Sequence, residues 1–192
     1  QDQLIRGGNW ARDPVGQLYG KTMGIIGAGS IGKRMAELAL AVGMNVICWT
    51  FNPDRNWGNR VGVTWGTIED VLSTSDVVSI HLRLSDQTRG LVDETKLALM
   101  KPTSILVNTA RGAIVDEDAL LLALETGHIA GAGLDVFTTD PLPPGHPFTN
   151  LDNVLLSPHV AASTIETDSA GLEMVVGNIR NWMKGTPTNV VA

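Results

Sequence analysis

KTMGIIGAGSIG, residues Lys21–Gly32, decides how this chain is read. A short apolar run from Thr22 to Ile26 breaks into Gly27, Gly29 and Gly32 just before a helical pattern begins. A strand that turns sharply and offers bare backbone N–H groups to a pyrophosphate needs three glycines: one for the turn, one for close phosphate approach, one for helix-to-sheet packing. Such a loop also occurs in turns with no ligand, so its flanks matter. Ile31, Met35, Leu38, Ala39 and Val42 follow at helical spacing and predict an apolar helix face, with Gly43 as the stop. A second strand, Asn45 to Thr50, comes next. Strand, glycine turn, helix and strand make one βαβ unit, whose helix N-terminus turns the positive end of its dipole toward an anion. The reading is a dinucleotide site.

Composition permits this and excludes several rivals. The 192 residues, 43% of them hydrophobic, suffice for one good core, so the chain reads as a single dinucleotide-binding domain over 1–192. A net charge of −6, with no cluster of Lys and Arg, argues against nucleic acid and against an acidic membrane surface as partners. Cys48, in the apolar run NVICWT, is the only cysteine. It reads as an inert core thiol, which fits a reducing cytoplasm. No apolar run reaches the roughly 18 residues a membrane span needs, and no export signal opens the chain. The chain begins at Gln1 without a methionine, so an upstream piece is expected to have been removed or to lie outside this numbering.

Onward, strand-like and helix-like stretches alternate. That is the pattern of an α/β, Rossmann-type doubly wound parallel sheet with helices on both faces. Thr67 is the expected N-cap of IEDVLSTS, and Asp76–Leu82 the next strand. Asp93 caps ETKLALM, which Lys101-Pro102 ends; Ser104–Ala110 is a strand. A helix over Asp116–Thr126 closes at Gly127, and the strand IAGAGLDVF leads into a proline-rich loop, Pro141–Pro147. The strand NVLLSPH and an amphipathic helix over about 164–184 complete the pattern. Ligands of such sheets collect beyond the carboxyl ends of the strands. Arg111 stands after SILVNTA, Asp135 and Asp140 after or within the end of IAGAGLDVF and its loop, His159 after NVLLSP. Singly, Arg111 reads as a surface arginine, Asp140 as a turn initiator before Pro141, and His159 as a loop histidine. Together they bring a fork suited to a carboxylate and a His–Asp pair suited to proton transfer to one rim.

Five blocks then carry a resemblance: the glycine motif, SIHLRLSDQTRGLVD from Ser79, LMKPTSILVNTARGAIVDEDAL from Leu99, HIAGAGLDVF from His128, and NVLLSPHVAAST from Asn153. In order and spacing the chain resembles the D-isomer-specific 2-hydroxyacid dehydrogenases along nearly its whole length. The resemblance implies an oxidoreductase moving a hydride between NAD or NADP and a small 2-hydroxy or 2-oxo acid. It implies Arg111 as the grip on the substrate carboxylate and carbonyl, His159 as the acid/base, and Asp140 as the carboxylate that orients His159. For the cofactor it implies Gly27, Gly29, Ser30, Ile31 and Gly32 around the pyrophosphate, His81 and Leu82 in the wall His81–Leu84 of the adenosine pocket, and Thr109, Ala110, Arg111, Asp135, His159, Ala161 and Ala162 at the nicotinamide end.

Two departures stand out. Asp140 replaces the glutamate usual in the family and is one methylene shorter, so reaching His159 is expected to need a loop shift or a water. Thr50 stands where an NAD-preferring site usually has an acid for the ribose hydroxyls. That absence, with Arg55 near, tilts the reading toward NADP, while Asp54 offers negative charge in the same stretch; both cofactors stay open. The resemblance also implies a second, substrate domain built mostly from sequence preceding this one, with 1–20 as a leading helix and linker. The helix over 164–184, with Ile165, Leu172, Val175, Val176, Ile179 and Trp182 on its apolar side, is expected either to pack partly on that missing domain and drive self-association, as in a homodimer, or to be a core helix. A non-catalytic, NAD-sensing scaffold like the co-repressors of the same superfamily is the alternative function.

Overall fold

A computed structural model describes residues 2–10 and 15–190. Of the expected leading segment, Asp2–Arg6 form a short helix, α1, while residues 1 and 11–14 lie outside the described residues. The first βαβ unit is β1 (Thr22–Ile26), α2 (Ser30–Ala41) and β2 (Asn45–Trp49). Then come α3 (Arg55–Val61), β3 (Thr64–Trp65), α4 (Ile68–Thr74), β4 (Val77–Ile80), α5 (Glu94–Leu97) and β5 (Ile105–Asn108). After a 3-10 turn at Gly112–Ile114, α6 (Glu117–Glu125), β6 (Gly131–Leu134), β7 (Val154–Leu156) and α7 (Ile165–Met183) follow.

All seven strands are parallel, in the order β3-β2-β1-β4-β5-β6-β7. The chain winds outward from β1 to β3, then returns to β1's other side as β4, so the winding reverses between β1 and β4. Register lines the strand ends up in one row: Ile26 faces both Trp49 and Ile80, Ile80 faces Asn108, Asn108 faces Leu134, and Leu134 faces Leu156. Every loop that leaves this row opens on the same rim. β3 and α3 were not expected from the sequence. β3 has only two residues, too few for an alternation to show, and α3 is a seven-residue helix with two asparagines and a glycine.

Alternation along the strands sorts the core into two layers. Ile25, Val46 and Cys48 pack with Ala36 and Ala39 of α2 and with Trp57 on one face. Ile26, Val78, Ile80, Leu106 and Leu134 pack with Val71 and Leu72 of α4, Leu97 of α5 and Leu120 and Leu124 of α6 on the other. Thr67 and Asp93 cap their helices as expected, Thr67 in a capping box with Asp70 on α4 and Asp93 by accepting an amide of α5, and Asp116 likewise accepts an amide of α6. Each is worth about 1 kcal/mol.

Two expectations about helix faces are corrected. The buried side of α2 is Gly32, Ala36 and Ala39, whereas Ile31, Leu38 and Val42 of the predicted stripe are more than half exposed. The sheet selects the small residues because only they let the helix backbone come close; a Cβ on Gly32 would collide with the Gly27 carbonyl. α7 has the expected length and begins with a Thr164–Thr167 capping box, but it buries none of its residues, so it is not a core helix. Ile165, Leu172 and Trp182 are 85%, 68% and 73% exposed. Among the described residues, no helix is long and apolar enough to cross a membrane.

Candidate active site

A cleft of about 760 Å³ lies along the rim, over the point where the winding reverses. Its first wall is the turn after β1. Gly27 takes a φ of +102°, which L side chains avoid, and a Cβ there would stand 2.7 Å from the His81 carbonyl oxygen. Gly29 has nothing within 4 Å of where a Cβ would lie, so its backbone is open to close approach. α2 starts at Ser30 with no side-chain cap and no acid in its first turn, leaving first-turn amides to face an anion in the cleft. Gly29, Ser30 and Ile31 line this end. Gly32 does not; it lies beneath, where α2 meets the turn. These features fit a pyrophosphate on open backbone donors.

Thr50, after β2, closes that end of the cleft, and His81 to Leu84, after β4, form one wall. The Ser79 hydroxyl and His81 Nε2 are 2.9 Å apart, and burial pushes the His81 imidazole below its usual pKa. Asp54 does not line the cleft. One of its oxygens accepts the Trp57 amide at 3.0 Å and the other meets Lys33 Nζ at 2.6 Å.

Thr109, Ala110 and Arg111 follow β5 and reach the cleft's far half. Asn108, 1% exposed, shapes this turn: its Oδ1 accepts the Ala110 amide and its Nδ2 donates to the Arg111 carbonyl, both at 3.0 Å. Reading the sequence missed it, although a polar residue closing an apolar strand was a usable signal. Gly112 lets the turn pass directly against the backbone at Phe137, which a Cβ would strike.

Asp135, after β6, is 4% exposed and lies at the base of the His159 loop. Its two oxygens accept the amides of Val160 and Ala161, each at 2.9 Å. Burial alone would raise its pKa, but the Ser157 hydroxyl and these amides, with His159 near, outweigh it and hold the carboxyl below the usual range. The carboxylate thereby pins the loop that presents His159, whose φ is +57°. Ala161 and Ala162 continue the wall.

Asp140 meets His159 directly, Oδ2 to Nδ1 at 2.8 Å, so the shorter side chain reaches the ring without a bridging water. The loop that carries Asp140 is held to α6 by Glu117, whose oxygens accept the Thr138 amide at 3.0 Å and meet His146 Nε2 at 3.3 Å. His159 also lines a second hollow of about 550 Å³, shared with Asp140 and walled by Phe137, Leu142 and Leu156. No grouping of three or more His, Cys, Asp or Glu suited to a metal ion occurs among the described residues.

Residues 1–161 match the family model described as "D-isomer specific 2-hydroxyacid dehydrogenase, NAD binding domain". The chain belongs to this family. Among members of the D-isomer-specific 2-hydroxyacid dehydrogenase family, a glyoxylate reductase of Aeropyrum pernix is 44% identical, covering 99% of this chain and 60% of its own length. The TT0316 protein of Thermus thermophilus superposes with a TM-score of 0.89 at 38% identity, over 99% of this chain and 61% of that one. D-lactate dehydrogenase of Aquifex aeolicus, solved with NAD and lactic acid, gives 0.88 at 30% identity, over 96% and 61%. The chain thus spans about 60% of the length of these relatives. They lend no support to the co-repressor-like alternative.

Proposed function

We propose that this chain is the cofactor-binding domain, over 1–192, of an oxidoreductase that interconverts a small 2-hydroxy acid and its 2-oxo acid with NAD or NADP. The observation that carries the reading is the 2.8 Å contact of His159 with Asp140 at the rim where Arg111 also stands. Gly27, Gly29, Ser30 and Ile31 would hold the pyrophosphate, with Gly32 packing beneath. Thr50, His81 and Leu82 would hold the adenosine, and Thr109, Ala110, Asp135, Ala161 and Ala162 the nicotinamide end. When bound in its reduced form, the nicotinamide supplies the hydride that reaches C2 of the 2-oxo acid.

The rest is done by side chains. Asp140 accepts a hydrogen bond from His159 Nδ1–H, which leaves Nε2 as the nitrogen free to face substrate and stabilises the imidazolium. Protonated Nε2 gives its proton to the carbonyl oxygen as hydride arrives at C2, leaving a 2-hydroxy acid and neutral His159. In the oxidative direction Nε2 takes the hydroxyl proton. Arg111 grips the substrate carboxylate with its fork, which sets C2 at a fixed distance from the proton donor. Its guanidinium is steadied by a 2.6 Å bond to the Ala110 carbonyl.

We place the protein in the cytoplasm as a homodimer. The single buried cysteine supports the first, and the exposed apolar side chains of α2 and α7 support the second. The test is nicotinamide absorbance with a panel of 2-oxo acids, using the protein that carries this domain. Turnover with at least one acid is expected, and His159→Ala should abolish it while cofactor still binds. Cofactor binding without turnover on any acid would overturn the enzymatic reading.

A further inference from the structure

Asp140 sits in the middle of a stretch with few ties of its own. Residues 138–145 are exposed apart from half-buried Leu142. Among the described residues, the hydrogen bonds that join this stretch to other elements are the Asp140–His159 contact, at 2.8 Å, and the bond from the Thr138 amide to Glu117 Oε2, at 3.0 Å. The other oxygen of Glu117 holds the far end. His146 Nδ1 accepts the Phe148 amide at 3.3 Å, so the ring proton is on Nε2, which donates to Glu117 Oε1 at 3.3 Å. Phe148 is 1% exposed and its ring stands 5.0 Å from that of His146, which anchors this end in the core.

Glu117 is also tied to the other side of the site. It is the first residue of α6, which follows the 3-10 turn that leaves Arg111. Gly112 of that turn packs so closely that a Cβ on it would strike the Thr138 amide nitrogen as well as the Phe137 backbone. The segment that presents Arg111 and the loop that presents Asp140 therefore share one carboxylate. The Glu117 and His146 side chains are 27% and 17% exposed, so water competes weakly for the bond between them.

We propose that Glu117, acting with His146, is a positioning residue for proton transfer: by closing both ends of the loop 138–146 it keeps Asp140 on His159 and fixes that pair relative to Arg111. The proposal rests on the reading of His159 as the acid/base and adds the group that keeps its partner in place. An exposed loop released at its ends gains many conformations in which Asp140 faces water, and each bond at an end removes some of them.

Two measurements on the protein that carries this domain test this, with thermal melting and ADP-ribose binding as checks of folding. Without cofactor or substrate, ring nitrogen NMR shifts at alkaline pH report which nitrogen of neutral His159 holds the proton. Asp140 keeps it on Nδ1 in the unaltered protein, and both Glu117→Ala and Asp140→Ala should release a fraction to Nε2. In steady-state rates, Glu117→Ala should lower kcat by about tenfold or more with the cofactor KM unchanged. The same change should cost less than about twofold once Asp140→Ala is present, because the two substitutions remove one arrangement. Glu117→Gln retains an acceptor for the Thr138 amide but turns an NH2 group toward His146, so its kcat should fall between; if Glu117→Ala fails to fold, the same criteria apply to this variant. A proton undisturbed on Nδ1 in the Glu117 variants, or an equal fall in kcat in both backgrounds, overturns the proposal and leaves the enzymatic reading intact. No turnover by the unaltered protein overturns the enzymatic reading and the proposal with it.

Discussion

Asp135→Asn tests most directly how the fold sets up the candidate chemistry. The side chain keeps its shape but loses an acceptor, so one of the two amides held at 2.9 Å, from Val160 or Ala161, faces an NH2 group instead. Losing a hydrogen bond to a charged acceptor costs roughly 1.5–3 kcal/mol. Val160 and Ala161 lie at the surface, where water can take over, which puts the cost at the lower end, about 1.5 kcal/mol. For a domain of this size that is a fall in Tm of about 3–6 °C at neutral pH. The sign of the pH dependence follows from the lowered carboxyl. A depressed folded pKa contributes stability that is fully present above the ordinary value of 3.8 and is lost as pH falls through the lower folded value. Asn has no such dependence, so the gap in Tm between unaltered chain and variant should narrow between about pH 5 and pH 3. In the protein carrying this domain, release of the His159 loop should lower kcat by as much as about 100-fold, the effect of a misplacement near 1 Å. Thermal melts across pH and steady-state rates measure both. An unchanged Tm at neutral pH, or a gap that widens on acidification, refutes the argument that Asp135 pins this loop.

Gly32→Ala drives a Cβ into the Gly27 carbonyl and should cost about 1–3 kcal/mol while weakening ADP-ribose binding; a variant with native melting and native affinity would contradict the packing role. Asp140→Asn should lower kcat by about 100-fold, read from rates at saturating cofactor, because the imidazolium of His159 loses its counter-charge; full activity would remove Asp140 from the mechanism. Burial pushes the Cys48 thiol up to about 12, so a thiol reagent near pH 8 should label the folded chain negligibly and one thiol per chain in denaturant. Rapid labelling of the native chain would show that the β2 layer is open.

Much of this was written locally. The turn of Gly27, the caps at Thr67, Asp93 and Asp116 and the alternation of strands with helices depend on residues within a few positions of one another. Steric limits and helix or strand periods act over that range. The glycine spacing alone implied the bend, the open backbone at Gly29 and the helix packing at Gly32, and the structure contains all three. What no local pattern contained was choice between alternatives that a neighbour must make. α2 has two apolar sides, and contact with β1 and β2 selected the small one, since burial of Ile31 and Leu38 would have held the helix too far from the sheet. The chain length between Asp140 and His159 says nothing of their distance; the path of the loop through Glu117 and His146 brings them to 2.8 Å despite the short side chain. Asp54 looked like charge available to a ribose until Lys33, on another helix, occupied it. Periodicity and caps are relations along the chain and can be read from it. Distances between strand ends are relations across the sheet, and only register, crossovers and packing establish those.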